Sequence, residues 1–412
     1  MKKFVYLFNK YAIRSVFLSW LTGMLIPLLY LLFAFNVKKV LMTIKKPLGF
    51  YLFIFVVLQA TSVFLSPLYY FFTWERFFAI IHNIIAFLFL FLGYGIFSCQ
   101  KYRDVLSGNI KSTFYTVSAI IVITSIYSLV THQDLVFYGI PGLAGIETKF
   151  NMVSFNMMDW FIIDFPRTTV FSVYPNASGI TVTLLYFLLI YFSFIKNKDA
   201  QILIPTICLC FAVLMTASRL YIVFSLVVLV LSFVKSREGL YRLLMLIPIG
   251  LFLLAIIIPF ILELREGSNN ARSMIYHESL KYMLHINPVF GLGMKPRLLT
   301  NLGLPYPVGS HSTVIGYFVK NGFIGGLFIL TGYLIVFLKY GLYLIQIIRK
   351  NINFDRVTFF LQSVFVIILF MTFSEDLDAY EVMMFYLGMA LYVYWAMSIK
   401  LKVFNHNRLQ LS

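Results

Sequence analysis

The chain has 412 residues, 61% of them apolar and 12% charged, with a formal net charge of +17. Soluble domains are usually about 45–50% apolar and about 25% charged, so one water-surrounded core would leave much of this apolar side chain exposed, and a soluble enzyme is excluded. The basic residues sit in short clusters between apolar runs, as in the loops of a polytopic membrane protein, and nucleic acid is not expected as a partner.

Apolar runs that suit helices crossing about 30 Å of hydrocarbon fall at residues 15–36, 48–66, 77–99, 113–131, 177–195, 201–218, 220–234, 243–262, 323–347, 357–374 and 382–399. They predict an all-α polytopic membrane protein with about 11 (10–12) transmembrane helices. Met1–Arg14 is basic, but the run after it has no small-residue cleavage site, so the first span is expected to stay. The clusters Lys38/Lys39/Lys45/Lys46, Lys101/Arg103/Lys111, Lys196/Lys198, Lys235/Arg237/Arg242, Lys339/Arg349/Lys350/Arg356 and Lys400/Lys402/Arg408 fall on alternate sides of successive spans and mark the cytoplasm. That puts the N-terminus outside, against the preference of Lys2, Lys3, Lys10 and Arg14. Either the first helix is re-entrant or one more span is present. Five regions are expected: N-terminal helices at 1–131, a long extracytoplasmic loop at 132–176, central helices at 177–262, a second long loop at 263–322, and C-terminal helices with a cytoplasmic tail at 323–412.

The first long loop carries Asp134, Glu147, Lys149, Asp159, Asp164 and Arg167; the second carries Arg265, Arg272, Lys281, Lys295 and Arg297. Both are rich in aromatics, Gly and Pro, which points to folded surface with short helices lying on the membrane. A short third loop, 375–381, holds Glu375, Asp376, Asp378 and Glu381. Asp376-Leu377-Asp378 resembles the Asp-X-Asp of metal-dependent sugar transferases, a triplet that is common by chance.

In the second loop, Ser268 to His285 predicts a helix with Tyr276, Leu280, Met283 and Leu284 on one face, stopping at Asn287-Pro288. Arg265 and Arg272 are spaced to share a face if that helix starts early, which suits a phosphate or pyrophosphate; the alternative is lipid headgroups. Gly291-Leu292-Gly293 follows, without the strand that a phosphate loop needs. His311, between Ser310 and Ser312, opens a segment expected to re-enter the membrane, and an imidazole titrating near neutrality suits a general base. Ser218-Arg219 interrupts two apolar runs with no room for a loop, and a charge at the hydrocarbon edge is either paired, for instance with Glu375, or functional. Lys320 suits a snorkelling or phosphate-contacting role. His82 reads as a hydrogen-bonded core residue, His277 and His285 show no carboxylate pairing that would suggest a metal, and Cys99, Cys208 and Cys210 read as packing residues.

In order, the chain shows Arg167, Phe171 and Pro175-Asn176; Ser218-Arg219 between two helices; Arg272 on a loop helix running into Asn287-Pro288-X-X-Gly291-X-Gly293; Gly309-Ser310-His311-Ser312; and Asn321-Gly322-X-X-Gly325-Gly326. This series, over about 165–390, resembles the O-antigen ligase and polymerase superfamily, including the Wzy-type polymerases of O-antigen and capsule. The resemblance implies a GT-C-like membrane glycosyltransferase of the bacterial inner membrane, using an undecaprenyl-pyrophosphate-linked glycan on the periplasmic face without a metal or other cofactor. It implies Arg219, Arg272 and His311 as catalytic residues. Arg167, Arg265, Asn176, Tyr276 and Lys320 are substrate-binding candidates, and Glu375 or Asp376 is a rival base. Its expected partners are lipid-linked oligosaccharides, the bilayer, a chain-length regulator and a flippase. Polymerase is the expected activity and ligase the alternative within the class. A lipid-linked oligosaccharide flippase or other transporter is the alternative outside it, although such proteins often show internal repeats, and none is evident here.

Overall fold

The protein is seen in a computed structural model that describes residues 44–45, 48, 50–54, 57–58, 73–98, 100–137, 146–157, 161–170, 175–196, 202–216, 218–246, 266–294, 312–349, 352–372 and 381–409. In chain order the elements are α1 (Trp74–Phe97), α2 (Gln100–Thr131), β1 (Leu135–Phe137), β2 (Ile146–Met157), β3 (Phe161–Val170), α3 (Pro175–Lys196), α4 (Leu203–Met215), α5 (Arg219–Ser232), α6 (Glu266–Ile286), α7 (Thr313–Ile348), α8 (Arg356–Met371) and α9 (Glu381–Leu409). Among the described residues four helices are long and apolar enough to cross a membrane: Arg76–Phe97, Leu106–Thr131, Ser178–Ile195 and Thr313–Ile348. Four shorter apolar helices, Leu203–Met215, Leu220–Ser232, Arg356–Met371 and Met383–Ser398, accompany them. These elements account for eight of the apolar runs; the run at 15–36 lies outside the described residues, and those at 48–66 and 243–262 do so in large part.

Local chemistry sets the helix ends. Thr73, Ser312 and Asp355 each accept a backbone N–H from the first turn of α1, α7 and α8, satisfying donors that a helix start leaves without partners. The packing uses small residues. A Cβ on Gly93 of α1 would collide with the backbone of Phe385 in α9, and one on Gly388 of α9 with the backbone of Leu90. The two helices therefore cross at backbone contact, a close approach that substitutes for a hydrophobic driving force where the surroundings are apolar. Around this crossing lies one continuous core that includes Phe87, Tyr94, Tyr186, Phe187, Phe365 and Tyr394.

The expectation of an all-α chain is corrected by the first long loop. Among its described residues it holds, in place of surface helices, an antiparallel sheet in the order β1-β2-β3. Its physical cause is legible in the residues. β3 contains Ile162, Ile163, Thr168, Thr169 and Val170, side chains that favour the extended backbone. Its Pro166 has no N–H to give to a ladder, and the structure meets this twice: β3 is an edge strand, and β2 bulges opposite Pro166. Lys149 pairs with Arg167 and Val153 with Phe165, so three residues of β2 face one of β3. The apolar alternation in β2 changes phase at the same place, from Phe150 and Met152 to Val153, Phe155 and Met157.

Candidate functional site

α7 breaks at Gly322, whose backbone (φ 62°, ψ −160°) only glycine adopts readily, into a short limb, 313–321, and a long limb, 323–348. An unbroken helix would bond Phe323 N–H to Val319 O and Ile324 N–H to Lys320 O. In the broken helix all four groups turn to the segment after α6. Leu292 N–H donates to Val319 O (2.7 Å) and Gly293 N–H to Lys320 O (2.9 Å), while Phe323 N–H donates to Pro288 O (2.8 Å) and Ile324 N–H to Val289 O (3.4 Å). Asn287 forms the bend, its Oδ1 accepting from Phe290 N–H (3.1 Å) and its O from Gly291 N–H (2.9 Å). Gly291 and Gly293 also have positive φ, and a Cβ on Gly291 would collide with the backbone of Lys320, Asn321 and Gly322. The Asn287-Pro288-X-X-Gly291-X-Gly293 and Asn321-Gly322 stretches are thus two halves of one backbone joint.

Arg76 closes the joint from the first turn of α1. Its side chain is 0% exposed, with Nε donating to Met294 O (2.9 Å) and a terminal nitrogen to Leu292 O (2.5 Å). α6 supports the joint from the other side through Met283, which packs with Leu292 and Val319. The buried stripe of α6 is Ile275, Ser279 and Met283, while Leu284 is 52% exposed. The expected face holding Tyr276, Leu280, Met283 and Leu284 is therefore corrected: the stripe turns toward Ile275, and Tyr276 and Leu280 sit half-buried on its flank.

The two limbs of α7 lie antiparallel. Thr313 N–H donates to Thr372 O (3.1 Å), and the Tyr333 hydroxyl hydrogen-bonds Thr372 Oγ1. Phe318 packs against Gly326, where a Cβ would strike its ring. At about 1.5 Å per residue the start of the short limb lies roughly 14 Å below the tip at Gly322. The helix that follows His311 in sequence therefore starts beside the end of the helix that precedes Glu375. Beneath Thr313 a cavity of about 330 Å³ runs past Tyr317, Tyr333, Leu90 and Leu387 to Lys339 and Trp395. Lys339 Nζ stands 3.7 Å from the centre of the Trp395 ring.

A second group gathers at the starts of α3 and α5. A Cβ on Gly179 would collide with the Tyr221 ring, so the first turns of these helices, which hold Asn176 and Arg219, pack side by side. Only residues 216–218 separate α4 from α5, with Thr216 and Ser218 buried, as the missing loop in the sequence implied. β3, which carries Arg167, packs on α2, α3 and α4, and Thr168 joins it to Ser125 of α2 by a hydroxyl pair 2.5 Å apart. Arg167 is half-buried on a strand, instead of in the irregular approach to a helix.

Of the residues singled out in the sequence, Arg272, Tyr276, His277 and His285 lie on α6, Lys320 is half-buried at the joint, and His82 falls within α1. Cys208 and Cys210 are half-buried free thiols on α4. Arg265, His311, Glu375, Asp376, Asp378 and Cys99 lie outside the described residues. Sequence reasoning missed Arg76, although it stands, like Arg219, at the end of a span opposite to the basic clusters.

Residues 204–330, from α4 to the first turns beyond the Gly322 break, match the family model described as O-Antigen ligase. That stretch is similar to an O-antigen ligase domain. The match is narrower than the 165–390 over which the motifs resemble that superfamily, yet it spans Arg219, α6, the joint, His311 and Lys320. No curated protein matches the chain. The apolar helices make this a multi-pass membrane protein, and residues 204–330 are similar to the O-antigen ligase family.

Proposed function

We propose that the chain is a polymerase of a surface polysaccharide, O-antigen or capsule, acting at the periplasmic face of the bacterial inner membrane. It transfers a glycan from a polyprenyl-pyrophosphate carrier onto a lipid-linked repeat unit. The observation that carries this reading is the coincidence of the O-antigen ligase match with the joint and with the arginine-bearing helix α6. The joint's height supports it. The long limb of α7 rises about 39 Å, some 9 Å more than the hydrocarbon is thick, which suits a tip at the level of lipid headgroups, where Lys320 meets a pyrophosphate. The apolar cavity below Thr313 suits the carrier's isoprenoid chain.

In the proposed step the acceptor hydroxyl oxygen attacks the anomeric carbon as the bond from that carbon to the pyrophosphate oxygen breaks, inverting the centre. The hydroxyl proton passes to His311, with Glu375 as the rival base. The negative charge left on the departing lipid pyrophosphate is met by Arg219 and Arg272, with Arg167, Arg265 and Lys320 holding the substrates alongside Asn176 and Tyr276. Guanidinium groups fit that charge through their planar donor fork and take the place of a metal. A base in reach contributes about 10²–10⁴-fold. A chain-length regulator and a flippase are the proposed partners.

The description of the matched family favours a second reading, a ligase that moves the finished glycan to lipid A-core or another acceptor. Complementation of a strain lacking the gene separates the two. Single repeat units left on the carrier or core mean that polymerisation was lost. Full-length but unattached chains mean that ligation was lost and overturn the polymerase reading. Wild-type behaviour of well-expressed Arg219→Ala, Arg272→Ala and His311→Ala would overturn the catalytic assignment.

A further inference from the structure

We propose that Arg76 is a positioning residue for this transfer, the pin that fixes the joint between the Gly291–Met294 turn and the Lys320–Gly322 tip. The inference rests on the reading of this end of the bundle as a glycosyl-transfer site. Arg76 lies far ahead of the matched residues 204–330, in a helix whose other side chains are mostly core. It nevertheless sends its guanidinium into the second long loop, where two of its nitrogens meet carbonyls two residues apart. A rigid planar fork can serve both at once, whereas a lysine ammonium is a single point donor on a flexible stem.

The bonds alternate along one strand of backbone. Leu292 and Gly293 give their N–H groups to Val319 and Lys320, and Leu292 and Met294 give their carbonyls to Arg76. Arg76 thus reaches Lys320 through a single peptide turn. Two helix bonds have been exchanged at Gly322 for four to the segment from Pro288 to Gly293, two of them to this turn, so the orientation of the Lys320 end is only as fixed as the turn itself. Removing the fork leaves the buried Leu292 carbonyl and the part-buried Met294 carbonyl without this donor, and the turn must shift to find others. A displacement of about 1 Å at a positioning group costs up to about 100-fold in rate.

The test uses full-length protein in lipid nanodiscs with a lipid-linked repeat unit as substrate, comparing wild type, Arg76→Met and Arg76→Lys. Steady-state kinetics is read beside amide hydrogen exchange in peptides covering 288–294 and 319–324. Arg76→Met is expected to lower kcat by about ten- to a hundredfold with KM changed by less than about threefold. Exchange should accelerate in those two peptides and stay unchanged where α1 crosses α9. Arg76→Lys is expected to recover part of kcat, and it carries the test if Arg76→Met does not accumulate. Faster exchange with wild-type kcat would overturn the positioning role, and unchanged exchange would overturn the pin itself. A wild-type protein that transfers no glycan would overturn the functional reading and the positioning role with it, while exchange would still report on the joint.

Discussion

The described residues of the segments 132–176 and 263–322 are held by opposite means. The first supplies its own hydrogen bonds: β2 and β3 pair with each other, and the sheet is then fastened to the helices by contacts such as Thr168 with Ser125. In the second, the described residues after α6, 287–294, have no ladder of their own. Their backbone groups are satisfied by a broken helix some thirty residues later and by an arginine more than two hundred residues earlier. A segment completed by distant parts of the chain holds its place only when the whole bundle is assembled, which suits a site that must stand at a fixed height over a membrane. A self-contained sheet suits a cover.

The contrast breaks most visibly at the proposed chemistry. Arg272→Ala and His311→Ala are each expected to reduce transfer by at least about 100-fold in protein that still reaches the membrane, whereas Arg167→Ala on the sheet should cost only a few-fold. Equal losses measured by product gel would mean that both segments carry chemistry. Next is the joint. Gly322→Ala forces a side chain into a backbone conformation costing about 1–3 kcal/mol and into the backbone of Val289, so a lower unfolding temperature should accompany lost activity. Were Gly322→Ala to unfold like wild type, the joint would not be the element that orders the second segment.

Smaller effects sharpen the same comparison. Thr168→Val removes the hydroxyl pair with Ser125, worth about 1 kcal/mol. Faster proteolysis of the first segment with nearly unchanged transfer is the expected result, and a large loss of transfer would tie the sheet to the site. Smallest is Lys281→Ala. Its ion pair with Glu278 is 3.8 Å long and Lys281 is exposed, so stability should move by less than about 0.5 kcal/mol, as a thermal melt would show.

The residues themselves carried much of this. The long limb of α7, the stop of α6 at Asn287-Pro288 and the turn before Arg219 follow from hydropathy, from the geometry of proline and from the cost of charge near hydrocarbon. β2 and β3 carried a signal in their β-branched residues, and β2 in its two-residue alternation, but the phase change in β2 at the bulge opposite Pro166 hid the period, and the loop was expected to hold helices. The face of α6 was misread because Ser279, a polar residue, lies in its buried stripe. Arg76 was passed over as a flank of its apolar run, although the reasoning applied to Arg219 applies equally to it.

By itself, then, the sequence determined the membrane class, the apolar runs and the order of the motifs, because these depend on composition and on spacing along the chain. Only the tertiary structure decided that the Asn-Pro-X-X-Gly-X-Gly and Asn-Gly stretches are one joint, that Arg76 pins it, and that the starts of α3 and α5 pack side by side. The reason is that a backbone group freed by a break in a helix carries no mark of its partner in the sequence. Any donor or acceptor that the fold brings within about 3 Å will satisfy it.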